Sequence, residues 1–298
     1  MKEIAIIGPT ASGKSALAIE LAAKHDAYIL SLDSLAIYKE IDIVSAKPSK
    51  EELARVRHFG VDELYPDEYF SVAIYLDIYA KAKEEARKKG KHLIIVGGTS
   101  FYLKTLLEGL SPMPQVDERV QRQVARLLQD IEEAYRMLQT IDPVFAARIT
   151  AKDRYRIQKG FEILYATGMK PSDYFAKHPP KAITDLPIYE IAIDRETLRR
   201  RIAARTHAMV EMGLIDETVY LEKRYGRAIN PMKAIGIKET LQYLDGKIPT
   251  IEALEEAITT HTAQLAKRQQ TFNKTQLEKR LSAPLEKIRE ELDRELAD

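Results

Sequence analysis

Gly8-Pro9-Thr10-Ala11-Ser12-Gly13-Lys14-Ser15 has the spacing of a phosphate-binding loop and directly follows the apolar run Ile4-Ala5-Ile6-Ile7. Two glycines let the backbone curl until successive N–H groups point at one anion. Lys14 adds a point charge, and the Ser15 hydroxyl suits Mg²⁺. The chemistry this supports is a grip on a phosphate or a diphosphate. In an open α/β sheet the ligand lies beyond the carboxyl ends of the strands. The residues after the next two apolar runs are therefore candidates: Asp33-Ser34 after Ile29-Leu30-Ser31-Leu32, and Gly97-Gly98-Thr99 after Leu93-Ile94-Ile95-Val96. Asp33 can hold Mg²⁺ through water, cap a turn, or act as a base beside bound phosphates. Thr99 is either a polar contact or a turn residue. Glycines end the third run where an ordinary ATPase or GTPase ends a strand with its metal-holding carboxylate.

The elements that must position these groups follow from periodicity. Apolar runs at 3–7, 27–32 and 92–96 alternate with helical patterns at 14–24 and 71–89, the rhythm of a parallel sheet with crossover helices. In the first helix Ala16, Leu17, Ile19, Leu21 and Ala22 form the buried side. Between Pro112/Pro114 and Pro179-Pro180 the β-branched runs vanish and helical periodicity dominates; a strand returns at 188–193. The expected fold is α/β: a P-loop NTPase-like parallel sheet flanked by helices. It is discontinuous over 1–112 and 182–298, with an all-helical insertion at 113–181. In the tail from Pro284 to Asp298, Leu285, Ile288, Leu292 and Leu296 recur at helical spacing, a face that packs either on the core or on a partner.

Composition narrows the class. With 298 residues, 45% hydrophobic and 31% charged, the chain is an ordinary globular protein with room for a substantial core. It has no cysteine, which excludes disulfides and thiolate metal sites, and six scattered histidines argue against zinc. Neither a leader-like apolar segment nor an 18-residue apolar run is present, so a cytoplasmic protein with no membrane partner is expected. The net charge of +1 conceals three basic stretches, at 148–159, 195–205 and 261–280. Each alone reads as a solvated helix face; together they fit a polyanion partner.

These residues, taken in order, resemble the bacterial tRNA dimethylallyltransferases, also called tRNA isopentenyltransferases. The resemblance covers most of the chain. It rests on the octapeptide loop, on Asp33-Ser34 with Ile37-Tyr38 and Asp42-Ile43, and on Ser45-Ala46-Lys47-Pro48. Further motifs are Val96-Gly97-Gly98-Thr99 with Tyr102, Arg201-Ile202 with Arg205, Ala234-Ile235-Gly236, and Ala266-Lys267-Arg268-Gln269. It implies transfer of a dimethylallyl group from its diphosphate to the exocyclic amine of the adenosine just 3′ of the anticodon. Such a donor has no γ-phosphate to transfer, which agrees with the glycines after the third run. By the same resemblance Asp33 is the base, Thr99 lies near the bridging diphosphate oxygen, Arg205 helps hold the departing diphosphate, and Mg²⁺ is bound through Ser15. The implied tRNA contacts are Asp33, Ser34, Leu35 and Ala36; Tyr155, Arg156, Ile157, Gln158 and Lys159; and Lys267, Arg268 and Gln269. The expected partners are the anticodon stem-loop and dimethylallyl diphosphate, with the enzyme a monomer.

The chain departs from the family pattern in places. It has no tryptophan, and Gln270-Thr271-Phe272 stands where tryptophan is usual. Lys233 replaces an arginine, Ile237 replaces an aromatic, and Gln158-Lys159 stands where an apolar residue and an arginine are common. The residues alone also leave three alternatives open: a small-molecule P-loop kinase, a prenyltransferase of free adenine nucleotides, and a non-catalytic nucleotide-dependent RNA-binding switch.

Overall fold

Alternation along the strands builds two cores on one sheet. In β1 (Glu3–Ile7), Ala5 and Ile7 face one side and Ile4 and Ile6 the other. The same division holds for Leu30 against Ile29 in β2 (Ala27–Leu32) and for Leu93 and Ile95 against Ile94 and Val96 in β4 (His92–Gly97). Because helices cover both faces, these strands read as continuous apolar runs. In the computed structural model, which describes residues 1–297, short strands complete the sheet: β3 (His58–Phe59), β5 (Ile188–Ile191) and β6 (Leu281–Ala283). All six are parallel, in the order β3-β2-β4-β1-β5-β6.

One face of the sheet is closed by the helices Lys14–Lys24 and Leu285–Ala297, through Leu17, Leu21, Ile288 and Leu292. The C-terminal apolar stripe thus packs on the core of its own chain; Asp298 lies outside the described residues. Burying one such leucine contributes about 1.5–3 kcal/mol. The other face carries the helix Val72–Lys89, through Tyr75, Ile78, Tyr79 and Ala82, together with Ser100–Glu108 and Ile251–Gln276. Three of the helices start where the sequence supplies a side-chain cap: Ser71 Oγ accepts from the Ile74 amide, Asp194 Oδ1 from Thr197, and Thr250 Oγ1 from Ala253.

The chain forms two units, Met1–Leu107 with Thr184–Asp298, and Glu108–Ile183. The second is all-helical among its described elements, from Glu118–Leu127 through Arg154–Thr167 to Pro171–Lys177. It has its own core around Val124, Leu138, Ile157 and Phe161. There the buried carboxylate of Asp142 accepts from the Phe145 and Ser172 amides, which joins the short helix Pro143–Ala146 to the start of Pro171–Lys177. Among the described residues no helix is long and apolar enough to cross a membrane.

Candidate active site

The sheet register brings the site together. Leu32, Gly97 and Ile7 occupy one row across β2, β4 and β1, so Asp33, the Gly98-Thr99 turn and the phosphate loop leave the sheet side by side. The row requires a glycine: a Cβ on Gly97 would lie 2.4 Å from the Leu32 carbonyl oxygen. Thr99 then donates its amide to that same oxygen at 3.0 Å, fixing one exit against the other. A cleft of about 640 Å³ opens beyond this row, lined by Thr10, Lys14, Ser15, Asp33, Thr99 and Arg205 among others.

In the phosphate loop, Ala11 (φ 62°) and Gly13 (φ 95°) are left-handed and turn the chain back toward the helix Lys14–Lys24. The Lys14 ammonium is buried and rests on the Pro9 carbonyl at 3.1 Å. Burial first, and the Arg205 guanidinium second, push its pKa down to about 8, against an opposing pull from Asp33. Arg205 comes from the helix Arg195–Glu211 and places Nη1 3.3 Å from Thr10 Oγ1. Burial lowers its pKa as well, with Asp33 opposing. Two desolvated cations thus share one end of the cleft, an arrangement that a polyanion would relieve.

Asp33 is held by its own turn. Its Oδ1 accepts from the Leu35 amide at 2.7 Å and the Ala36 amide at 3.1 Å, leaving Oδ2 with no hydrogen bond among the described residues. Beside it stands an aromatic group: Phe70 meets Tyr102 edge-on at 5.8 Å and Tyr38 at 6.3 Å, and Tyr102 stacks on Tyr75 at 4.7 Å. Burial, then Tyr38 and Asp33, raise the Tyr102 phenol well above its ordinary range, so it remains a neutral donor.

The loop after Asp33 is fixed from a distance, which sequence reasoning missed. Glu217, on the helix Leu214–Tyr225, accepts the Asp42 and Ile43 amides on Oε2 at 2.8 and 2.7 Å and the Val44 amide on Oε1 at 3.0 Å. The Lys47 side chain, 4% exposed, pairs with Asp42 at 2.7 Å and Asp62 at 2.6 Å. Val44 to Pro48 thereby line the cleft. The Asp42-Ile43 and Ser45–Pro48 motifs marked this loop in the sequence, but nothing pointed to Glu217.

The expected site residues separate into groups. Of the loop, Thr10, Ala11, Lys14 and Ser15 line the cleft together with Asp33, Thr99, Arg205, Leu35 and Gln269, with the exposed Ser34 and the buried Ala36 at the Asp33 turn, while Gly8, Pro9, Ser12 and Gly13 are not among its lining residues. Gln269, expected among RNA contacts, turns inward: its Oε1 accepts the Thr10 amide at 3.0 Å. Lys267 and Arg268 are exposed on the same helix, with no ion pair among the described residues. Within the helical unit, Tyr155 is 66% exposed and Arg156 pairs with Asp153. Gln158 and Lys159 both bond the buried carboxylate of Glu162. Ile157 departs from the expectation: it is fully buried, because its helix turns that position into the unit's own core, so its side chain offers no surface to RNA.

The chain is similar in sequence and in fold to known proteins. The model of the IPP transferase family matches residues 36–276. A tRNA dimethylallyltransferase of Nautilia profundicola is 54% identical over 288 residues, 96% of this chain and 97% of that protein. One from Helicobacter pylori is 43% identical over 92% of this chain and 88% of its own. The crystal structure of the full-length tRNA isopentenylpyrophosphate transferase from Bacillus halodurans superposes with a TM-score of 0.72 at 29% identity, covering 99% of this chain and 95% of that one. A eukaryotic dimethylallyltransferase acting on tRNA superposes at 0.83 with 28% identity, over 96% of this chain and 75% of that one. By motif, by matched length and by fold, the chain belongs to the IPP transferase family of tRNA dimethylallyltransferases.

Proposed function

We propose that this enzyme transfers a dimethylallyl group from dimethylallyl diphosphate to the exocyclic N6 of the adenosine 3′-adjacent to the anticodon in tRNA. The observation that carries the reading is one cleft with the buried Lys14 and the half-buried Arg205 at the phosphate loop and a carboxylate oxygen, Asp33 Oδ2, with no hydrogen bond among the described residues. The cations suit the departing diphosphate and the carboxylate suits the acceptor amine.

As the bond from the allylic carbon to the diphosphate oxygen breaks, negative charge grows on the leaving group. Lys14 and Arg205 are fixed there before reaction, so little reorganisation accompanies it. Thr99 is assigned a hydrogen bond near the bridging oxygen. The adenosine amine is a poor nucleophile and becomes acidic only as its bond to carbon forms; Asp33 Oδ2 then takes the proton. A nucleobase modified at this edge must leave its stack to reach a cleft of this kind.

The donor set fits Mg²⁺. Ser15 Oγ, exposed in the cleft, is a hard oxygen with no hydrogen bond among the described residues, and Mg²⁺ commonly takes its remaining ligands from phosphates and water. When bound, the ion adds positive charge at the diphosphate. For the RNA, Ser34, Lys267 and Arg268 of the sheet unit and, taken separately, Tyr155 of the helical unit are exposed groups suited to the anticodon arm.

The test incubates the enzyme with dimethylallyl diphosphate, Mg²⁺ and unmodified tRNA, then weighs the digested nucleosides. N6-dimethylallyladenosine is expected, and Asp33→Ala should lower its rate about 10²- to 10⁴-fold. Product on free AMP but not on tRNA would overturn the acceptor. Nucleoside-triphosphate hydrolysis without prenyl transfer would overturn the reaction.

A further inference from the structure

Thr10 is gripped from two helices at once. Arg205 reaches its hydroxyl and Gln269 accepts its backbone N–H at 3.0 Å. The Gln269 carboxamide fills the space over Gly98 so closely that a Cβ there would come within 2.3 Å of Nε2. One side chain therefore ties the phosphate loop to the turn that carries Thr99. Its root is anchored one helical turn on, where the fully buried Asn273 donates to Glu190 at 2.8 Å. Glu190 also accepts from Arg280 at 2.6 Å and stands opposite Ile7 in the sheet. Lys267 and Arg268, two residues and one residue before it, turn outward.

We propose that Gln269 is a positioning residue for the prenyl diphosphate, acting through the Thr10 amide and the Gly98 turn, while the exposed Lys267 on the same helix serves the RNA. This rests on the donor reading above and revises the assignment of Gln269 to tRNA. The carboxamide holds the Thr10 N–H, and with it the curl of the loop, in place before the donor arrives. Without it the loop must be ordered at the expense of donor affinity.

The experiment titrates Mg²⁺ with inorganic diphosphate, and separately an anticodon stem-loop, into the full-length enzyme and two variants. Gln269→Met keeps the reach over Gly98 but has no carbonyl acceptor; Lys267→Ala is the contrast. Gln269→Met is expected to weaken diphosphate binding roughly five- to tenfold, the scale of one hydrogen bond. It should raise the KM for dimethylallyl diphosphate by the same factor and leave kcat and stem-loop affinity unchanged. Gln269→Glu, which restores an acceptor, should recover the loop's order but add a negative charge beside the diphosphate, so donor affinity should stay low while the melting temperature returns. Lys267→Ala should do the converse of Gln269→Met, weakening the stem-loop alone. The proposal falls if Gln269→Met weakens the stem-loop and spares diphosphate, or if it changes neither. If wild-type enzyme binds no diphosphate and Lys14→Met behaves like it, the donor reading itself has failed, a result distinct from either.

Discussion

The two walls of the cleft are built in different ways. The donor wall is built on charge: eight consecutive residues make the loop, and Lys14 from within it and Arg205, 195 residues beyond Thr10, press two desolvated cations against it. The acceptor wall, from Asp33 to Pro48, is held from elsewhere in the chain. Its amides at Asp42, Ile43 and Val44 bind a carboxylate 173 to 175 residues further on. A wall of fixed charges stores its function in individual side chains, so removing one of those charges should strike the chemical step. A wall held at long range stores its function in scaffolding, so its failures should appear first in acceptor binding and stability.

The sharpest way to break this contrast is Lys14→Met. Removing one fixed charge from where the diphosphate departs should lower kcat/KM for the donor about 10³-fold, as loss of one preorganised stabilising group does. Steady-state kinetics at saturating tRNA measures it, with the melting temperature unchanged or raised because a buried charge has gone. A loss under tenfold would mean that the donor wall does not carry the charge of the transition state.

On the opposite wall, Glu217→Ala leaves three amides without their carboxylate, partly replaced by water because Glu217 is only half-buried. A stability loss of about 1–3 kcal/mol is expected, with the KM for tRNA rising about tenfold and the donor KM little changed. Equal damage to both substrates would erase the distinction between the walls.

The pH dependence follows from the donor wall alone. The empty site holds the Lys14 pKa down near 8, and only the protonated form attracts the diphosphate. A bound anion raises that pKa, so binding takes up a proton above it. Donor affinity should be level below about pH 8 and fall about tenfold per pH unit above it. Lys14→Met should flatten the profile. A profile of the same shape in that variant would place the titration on another group.

The same contrast explains how much was legible in the sequence. The three long central strands and the loop could be placed because their signals are local, apolar runs and a fixed glycine spacing, whereas Arg205 came only with the resemblance to the family motif. The two- and three-residue strands β3 and β6 have no pattern long enough to read, since their pairing is set by β2 and β5. The amphipathic tail was readable as a helix but not as packed on its own sheet; only the fold shows Ile288 and Leu292 against the Lys14–Lys24 helix. Glu217 and the inward turn of Gln269 were invisible, because each depends on a contact more than a hundred residues away. Motif position put Gln269 beside Lys267 and Arg268, and one helical step of about 100° separates an outward side chain from an inward one.

Gly98→Ala tests that inward turn with the smallest perturbation. Gly98 does not occupy a left-handed conformation, so its backbone accepts alanine; the new Cβ meets the Gln269 carboxamide at 2.3 Å and no backbone atom is among its nearest neighbours. A flexible side-chain end gives way, the Thr10 bond is lost, and the sheet is left intact. Donor KM should rise a few-fold, about three- to tenfold, with kcat and RNA affinity unchanged. Because both substitutions break the same bond, the Gly98→Ala/Gln269→Met double variant should be no worse than the poorer single. Effects that multiply instead would show that Gly98 and Gln269 act on the donor separately.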